Sequence, residues 1–340
     1  MKQETEDFLA DHGLGRLERR LRLGGRLKSG AGPELPAELC LTPTGAWVVA
    51  CDGRFVGEAI DAGDAEKVRY HTGALTDRLS VGEQFLAVPP GKGKEARRLI
   101  ALGRLRRRRL GNEPATLPLG GDRYLTDEGE VSRELVAAVV ASPDQLIALV
   151  ELDATEQASA LGPEVDAVNY FVLSCDKAWF VALSELGDLA TEELDARTLC
   201  VEAKSDRTVL TDGNRSRAVP GKRRSLVQEL VELGQHAGAE RACEAARRLH
   251  VSGRAPRART LLAEAGRRGE PRATLLGIAL DIELGATHVP RDEYVAAVAR
   301  LRDGTVTGDA CGDTFRRWRF RLAVGREVVH ALTLLGGEAE

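Results

Sequence analysis

One short plan is written twice in this chain. Leu41-Thr-Pro-Thr-Gly-Ala-Trp47-Val-Val-Ala50 is echoed about 130 residues further on by Leu173-Ser-Cys-Asp-Lys-Ala-Trp179-Phe-Val-Ala182. Each copy is followed by an Asp-Arg pair (Asp77-Arg78 and Asp206-Arg207). A Val-Pro-Gly-Lys run comes next (Val88 to Lys92, Val219 to Lys222), and then an Arg-rich helical pattern. The period is far too long for a solenoid and implies a duplicated folding unit. Such a pattern speaks to architecture, not to activity.

The texture inside each copy is that of a β-meander. In the first, Leu39-Cys-Leu, Trp47-Val-Val-Ala-Cys, Arg54-Phe-Val, Lys67-Val-Arg-Tyr and Gln84-Phe-Leu-Ala-Val are separated by Gly, Asp or Pro. Asp52-Gly53 suits a type I′ hairpin, because both residues tolerate positive φ. After Pro90-Gly91 the period switches: Ala96, Leu99, Ile100 and Leu102 share one helical face, ringed by arginines. The second copy runs through Tyr170-Phe-Val-Leu, Ala178 to Leu183, Thr198 to Glu202 and Thr208-Val-Leu. Its helix begins near Lys222, with Leu226, Val227, Leu230 and Leu233 on one face.

The expected fold is α+β: two related antiparallel β-meander modules, each closed by a C-terminal helix, followed by an all-helical region. The expected boundaries are a basic amphipathic helical segment over 1–30, module 1 over 38–110 and a helical or loop connector over 111–164. Module 2 then covers 165–235 and the helical region 236–340. In the first segment Leu14, Leu17 and Leu21 fall at helical spacing over residues 4–28, with Arg16, Arg19, Arg20 and Arg22 between them. Ser29 to Pro36 reads as a linker. Ser132 to Ala141 reads as helix, while Leu146 to Leu152 fits strand or helix equally.

Two family resemblances follow from these residues. Ala246, Leu249, Gly253, Ala258, Leu262 and Ala265 have the offsets of the packing residues of a tetratricopeptide repeat, with Pro271 one place late and Ala242 where a large aromatic is usual. The next window (Ala279, Ile282, Gly285, Ala297, Leu301) fits loosely, so the likeness spans roughly 65 residues. It implies antiparallel helix pairs; fewer than three repeats do not stand alone, so the region is expected to pack on module 2 or on a partner. The order of elements in the β units resembles pleckstrin-homology-like domains, which implies a bent antiparallel sheet plugged by one helix. No lipid-binding or catalytic motif of that family accompanies it.

Composition narrows the class. Of 340 residues, 43% are hydrophobic and 29% charged, with a formal net charge of −4, a globular profile that argues against a dedicated nucleic-acid coat. Six scattered cysteines without a Cys-x-x-Cys pair suit reduced thiols in a cytoplasmic protein. The acidic start, Met1 to Asp7, lacks the apolar core of a signal peptide. No apolar run reaches the length of a membrane span.

Candidate chemistry is sparse. Gly91-Lys-Gly-Lys-Glu-Ala96 matches G-x-G-x-x-A between strand and helix, the place where a dinucleotide pyrophosphate would sit; the plainer reading is a helix-start turn with solvated lysines. The six histidines are solitary, and no nucleophile, metal or calcium motif is present. Hence no catalytic, cofactor or metal residue is assigned, and no cofactor is expected. The surface candidates are basic: Arg97, Arg98 and Arg106 to Arg109 (Arg106, Arg107, Arg108, Arg109) on the first closing helix, and Arg215, Arg217, Lys222, Arg223 and Arg224 beside the second. Arg317, Trp318 and Arg319 form an aromatic–arginine run suited to an interface. Trp47 and Trp179 are expected as core plugs. Taken together, these residues suggest a non-catalytic protein-interaction or adaptor/scaffold protein of the bacterial cytoplasm with a protein partner, acidic on charge grounds, and compatible with a homo-oligomer. The alternatives are polyanion binding (nucleic acid or anionic lipid) through the Arg-rich helices, and a cryptic nucleotide-binding enzyme.

Overall fold

A computed structural model describes residues 2–28, 33–51, 56–109, 122–153, 167–204 and 207–285. The described chain is mixed α+β. It begins with helix α1 (Lys2–Asp11) and then seven strands: β1 (Arg19–Lys28), β2 (Glu34–Thr42), β3 (Gly45–Cys51), β4 (Val56–Asp61), β5 (Val68–His71), β6 (Arg78–Val81) and β7 (Gln84–Ala87). Helix α2 (Gly93–Arg107) closes this half. The second half begins with α3 (Glu130–Val139), followed by β8 (Leu146–Leu152), β9 (Ala167–Ser174), β10 (Ala178–Ser184), β11 (Leu189–Leu194), β12 (Cys200–Ala203), β13 (Thr208–Thr211) and β14 (Ser216–Val219). Helix α4 (Arg224–Gln235) closes it, and α5 (Gly238–Val251), α6 (Ala255–Arg267) and α7 (Pro271–Glu283) follow.

The first sheet has the order β4-β3-β2-β1-β7-β6-β5, antiparallel in every pairing. In the second half the same order appears as two sheets, β11-β10-β9-β8 and β14-β13-β12. These meet where the Asp153 N–H donates to the Ala218 carbonyl at 3.2 Å. The hairpins before the tryptophans also match: Thr42 pairs with Gly45 and Cys40 with Trp47, while the Ser174 N–H donates to the Lys177 carbonyl and Val172 pairs with Trp179.

The N-terminal expectation of helix over 4–28 is overturned. Helix stops at Asp11, and Arg19 to Lys28 is a strand. Its buried residues Leu21, Leu23 and Leu27 face one side, with a register shift between Arg22 and Arg26. The alternation Arg20-Leu21-Arg22-Leu23 is a period of two, which outweighs the helical spacing of Leu14, Leu17 and Leu21 once a neighbouring sheet is there to pair with. The first sheet therefore starts well before Glu38. Part of the expected linker, Glu34 to Pro36, is the beginning of β2. Pro36 sits there at an exposed position. The ambiguous segment Leu146–Leu152 is strand, buried on both faces except at Glu151, which explains why it carried no period. The Asp52-Gly53 turn and most of the 111–130 stretch lie outside the described residues.

Helices cover the inner face of each half and part of its outer face. On the inner face of the first, Leu39, Leu41, Ala46 and Val48 pack with Ala96, Leu99, Ile100 and Leu102 of α2. Gly103 lets α2 approach so closely that a Cβ there would collide with Ala46. On the outer face, Leu9 and Phe8 of α1 pack with Cys40, Val49 and Trp47. In the second half, Phe171, Leu173 and Phe180 form a core with Val227, Leu230 and Leu233 of α4, and this core continues without a break into Ala242, Ala246, Leu249, Ala258, Leu262 and Ala265 of α5 and α6. Its outer face, with Tyr170, Val172 and Val181, is covered by Leu135, Val136 and Val140 of the α3 segment and by Leu105 at the end of α2. No helix among the described residues is long and apolar enough to cross a membrane.

Candidate interaction surface

The arginines of α2 have three destinations. Arg97 reaches Glu185 at 3.0 Å, Arg104 reaches Asp188 at 2.6 Å, and Arg108 donates to the Leu189 carbonyl at 2.8 Å, all around the β10–β11 turn. Arg98 pairs with Glu130 at 3.1 Å, and Arg106 and Arg109 pair with Glu134 of α3 at 3.1 and 2.5 Å. Arg107 returns to Asp61, and Arg106 also donates to the Thr42 carbonyl at 2.5 Å and pairs with Glu18 at 2.7 Å. Gly187 completes the joint: a Cβ there would stand 2.6 Å from Ala101 Cα. Arg106 and its partner Glu134 are both buried, and Arg109 retains only 9% side-chain exposure. The α2 cluster thus lies between the two halves. Sequence alone offered these charges as a surface for a partner, because their acidic partners come from distant stretches.

The second cluster is spread over separate places. Arg217 is buried, lies over the Phe180 ring at 5.1 Å and pairs with Glu192 at 2.5 Å. Arg215 donates to the Glu193 carbonyl at 2.5 Å. Arg223 is half-buried and reaches Thr126 Oγ1 at 3.0 Å and Glu151 at 3.3 Å. Lys222 and Arg224 are exposed at the start of α4. Arg317, Trp318 and Arg319 lie outside the described residues.

The G-x-G-x-x-A segment has a different occupant at its helix start. Strand β7 is antiparallel to both neighbours, unlike the parallel unit a dinucleotide fingerprint belongs to. The Asp77 carboxylate sits against Gly93, accepting from the Tyr70 hydroxyl, from the Gly73 N–H at 3.2 Å and from Arg97 at 3.4 Å. The Tyr70 hydroxyl holds the Asp77 carboxyl below its usual range against the effect of burial, with Gly73 and Arg97 adding to the lowering. Burial, then Asp77, raises the Tyr70 phenol. Any side chain at position 93 would collide with Asp77, so this glycine serves an internal carboxylate contact.

A cleft of about 600 Å³ opens between the β9–β10 turn, the end of β11 and the start of α5. Its floor holds Arg241, which donates to the carbonyls of His236, Ser174 and Gly234 at 2.8, 3.2 and 2.9 Å. Lys177 and Glu193 on its rim pair at 2.8 Å, and Arg268 pairs with Asp176. Elsewhere in this half, Arg257 of α6 pairs with Asp122 at 3.2 Å, both nearly inaccessible. Burial raises the Asp122 carboxyl despite the Tyr124 N–H and the guanidinium beside it. Burial also pushes the Cys175 and Cys243 thiols up to about 12, so neither is a thiolate near neutrality. Among the described residues no group of three or more His, Cys, Asp or Glu side chains is placed to hold a metal ion.

Compared with known proteins, the chain matches no family model and no curated sequence.

Proposed function

We propose that the chain is a non-catalytic scaffold that holds two related β modules and a helical tail in fixed relation and engages a protein partner. The observation that carries this reading is the use of α2. One helix closes the first sheet, covers part of the outer face of the second, and spends its arginines on Glu185, Asp188, Glu130 and Glu134 across the joint. Charge invested in joining modules rather than in a reacting centre is what a scaffold requires.

The common strand order and the matching register of Trp47 and Trp179 support descent of the two halves from one duplicated helix–sheet–helix unit. A sheet of seven antiparallel strands closed by a C-terminal helix supports the pleckstrin-homology-like reading. The small residues Ala242, Ala245, Ala246, Ala258 and Ala265 buried between α5 and α6 support tetratricopeptide-like packing in the tail. A protein partner is the reading for this helical surface.

Affinity purification of the full chain from its host, with crosslinks mapped by mass spectrometry, tests the proposal. A stoichiometric protein partner crosslinked to α5–α7 is the expected result. A large thermal stabilisation by ATP or NAD, abolished in Lys92→Ala with Lys94→Ala, would overturn it in favour of a nucleotide-binding enzyme.

A further inference from the structure

Helix α1 covers only part of the outer face of the first sheet; the β5–β6–β7 part carries exposed side chains. The register sets Arg69, Ser80 and Phe85 opposite one another across β5, β6 and β7. One row on stand His71, Arg78 and Ala87, with Gly24 of β1 beside Ala87. Residues directly opposite in an antiparallel ladder share a face. The intervening row, Tyr70, Leu79 and Leu86, packs inward in the core with α2, so the two rows point outward. Two contacts agree: His71 Nε2 lies 2.9 Å from Ser80 Oγ, and the His71 and Phe85 rings are 6.0 Å apart.

Phe85 is 61% exposed, and Arg69, His71 and Arg78 are exposed around it. Among the described residues Arg69 and Arg78 have no ion-pair or hydrogen-bond partner, unlike the arginines of α2. Gly24 and Gly25 bring β1 in without side chains, and a Cβ on Gly24 would stand 3.2 Å from the Ala87 Cβ. One row from the ring, the outer face at β7 and β1 thus carries only the small Ala87 and Gly24. Arg22 and Arg26 extend the basic character along β1; Arg22 lies 3.4 Å from Glu38, and Arg26 donates to the Glu34 carbonyl at 3.3 Å. The matching outer rows of the second half are Cys200, Thr211 and Ser216, then Glu202, Val209 and Ala218. They hold no aromatic ring and one acid.

We infer that this face of the first sheet binds single-stranded nucleic acid. A base stacks on Phe85 beside His71, and Arg69 and Arg78 hold the flanking phosphates. Same-face rows of a sheet are about 7 Å apart, which lets the two guanidinium groups engage successive backbone positions. A nucleotide carries a flat π face and a phosphate on one unit, so it engages the ring and an arginine together, whereas an acidic peptide needs a separate apolar side chain for the ring. Stacking on an aromatic platform combined with a positive track is how single strands are held without sequence preference. The inference concerns a different surface from the helical tail and does not depend on the scaffold reading.

Fluorescence polarisation of the full chain with labelled oligothymidylate, against salt, tests it. Binding is expected at about 50 mM salt, weakening steeply towards about 200 mM. Phe85→Ala should weaken binding about tenfold, in the range of one lost stacked base, and leave the salt slope intact. Arg69→Glu with Arg78→Glu should weaken it further and flatten the slope by about 0.7 per lost contact. Heparin, a polyanion without bases, should bind the Phe85→Ala variant as well as the parent. All these side chains are exposed, so the melting temperature should not move. Absence of binding at low salt, or binding indifferent to Phe85→Ala, would overturn the assignment, as would binding lost instead in Lys222→Glu with Arg224→Glu.

Discussion

Trp47 and Trp179 occupy one and the same register position in the two halves: Trp47 lies opposite Cys40 and Asp61, and Trp179 opposite Val172 and Glu193. Both are half-buried and neither is a plug of the inner core. Trp47 lies on the outer face with Phe8 and Leu14, its indole N–H donating to Thr42 Oγ1 at 3.1 Å; Trp179 packs with Leu189 in the α3-side cluster. Each indole thus marks where a preceding helix seats on its sheet.

Truncating either tryptophan should therefore cost less than a core aromatic. For Trp47→Ala and Trp179→Ala the expected loss is about 2 kcal/mol, below the roughly 3–5 of a fully buried ring. Urea unfolding followed by circular dichroism measures it. A loss as large as a core truncation would contradict the outer-face placement.

Gly187 is a sharper probe of the joint between the halves. Its φ is +83° and a Cβ would meet the Ala101 backbone at 2.6–2.7 Å. Gly187→Ala should destabilise by about 1–3 kcal/mol, from backbone strain plus overpacking. Because the neighbour is backbone, a flexible side chain cannot yield. Equilibrium unfolding gives the loss, and an unchanged stability would contradict the close approach of Gly187 to Ala101.

The Arg104–Asp188 pair should be worth more than an ordinary surface bridge, because Arg104 has 8% side-chain exposure while Asp188 has 43%. Asp188→Ala should cost about 1–2 kcal/mol, the excess over the usual 0–1 reflecting a largely buried guanidinium left without its carboxylate. A double-mutant cycle with Arg104→Met isolates the coupling. A coupling near zero would show that packing alone joins the halves.

The α2 start carries a pH signature. The folded pKa of Asp77 lies below the usual 3.8. A depressed carboxyl contributes stability that is fully present above the unfolded value and lost as pH falls through the folded one. Tyr70→Phe removes the largest cause of the lowering. It should cost about 1 kcal/mol near neutrality and move the Asp77 titration upward, towards the usual value. Carbon-detected NMR of the Asp77 carboxyl across the acid range reads the shift directly, and an unmoved titration would refute the assignment.

Arg257 should be among the most sensitive positions of the tail. Its partner Asp122 and the Leu146 carbonyl are buried with it, so Arg257→Ala leaves an uncompensated carboxylate. The expected cost is about 3–5 kcal/mol, read from thermal or urea unfolding. Partial recovery in Arg257→Met with Asp122→Asn would show that the stranded charge, rather than lost volume, is responsible.

The sequence alone determined that short antiparallel strands alternate with helices such as α2 and α4 in a mixed α+β chain, because local period and turn chemistry are legible in each segment. It also carried the helices at α3 and α5–α6. What it misread was Arg19 to Lys28, where the leucines fit a helix until β2 and β7 supply ladder partners. The arginines of α2 looked like a free surface for a partner for the same reason: Glu130, Glu134, Glu185 and Asp188 are remote in sequence and reach them only in the folded chain. Conversely, Arg69, His71, Arg78 and Phe85 sit on three short strands with no shared motif. Only strand register puts a ring and its cations on one face, and register is set by pairing between segments rather than by any segment itself.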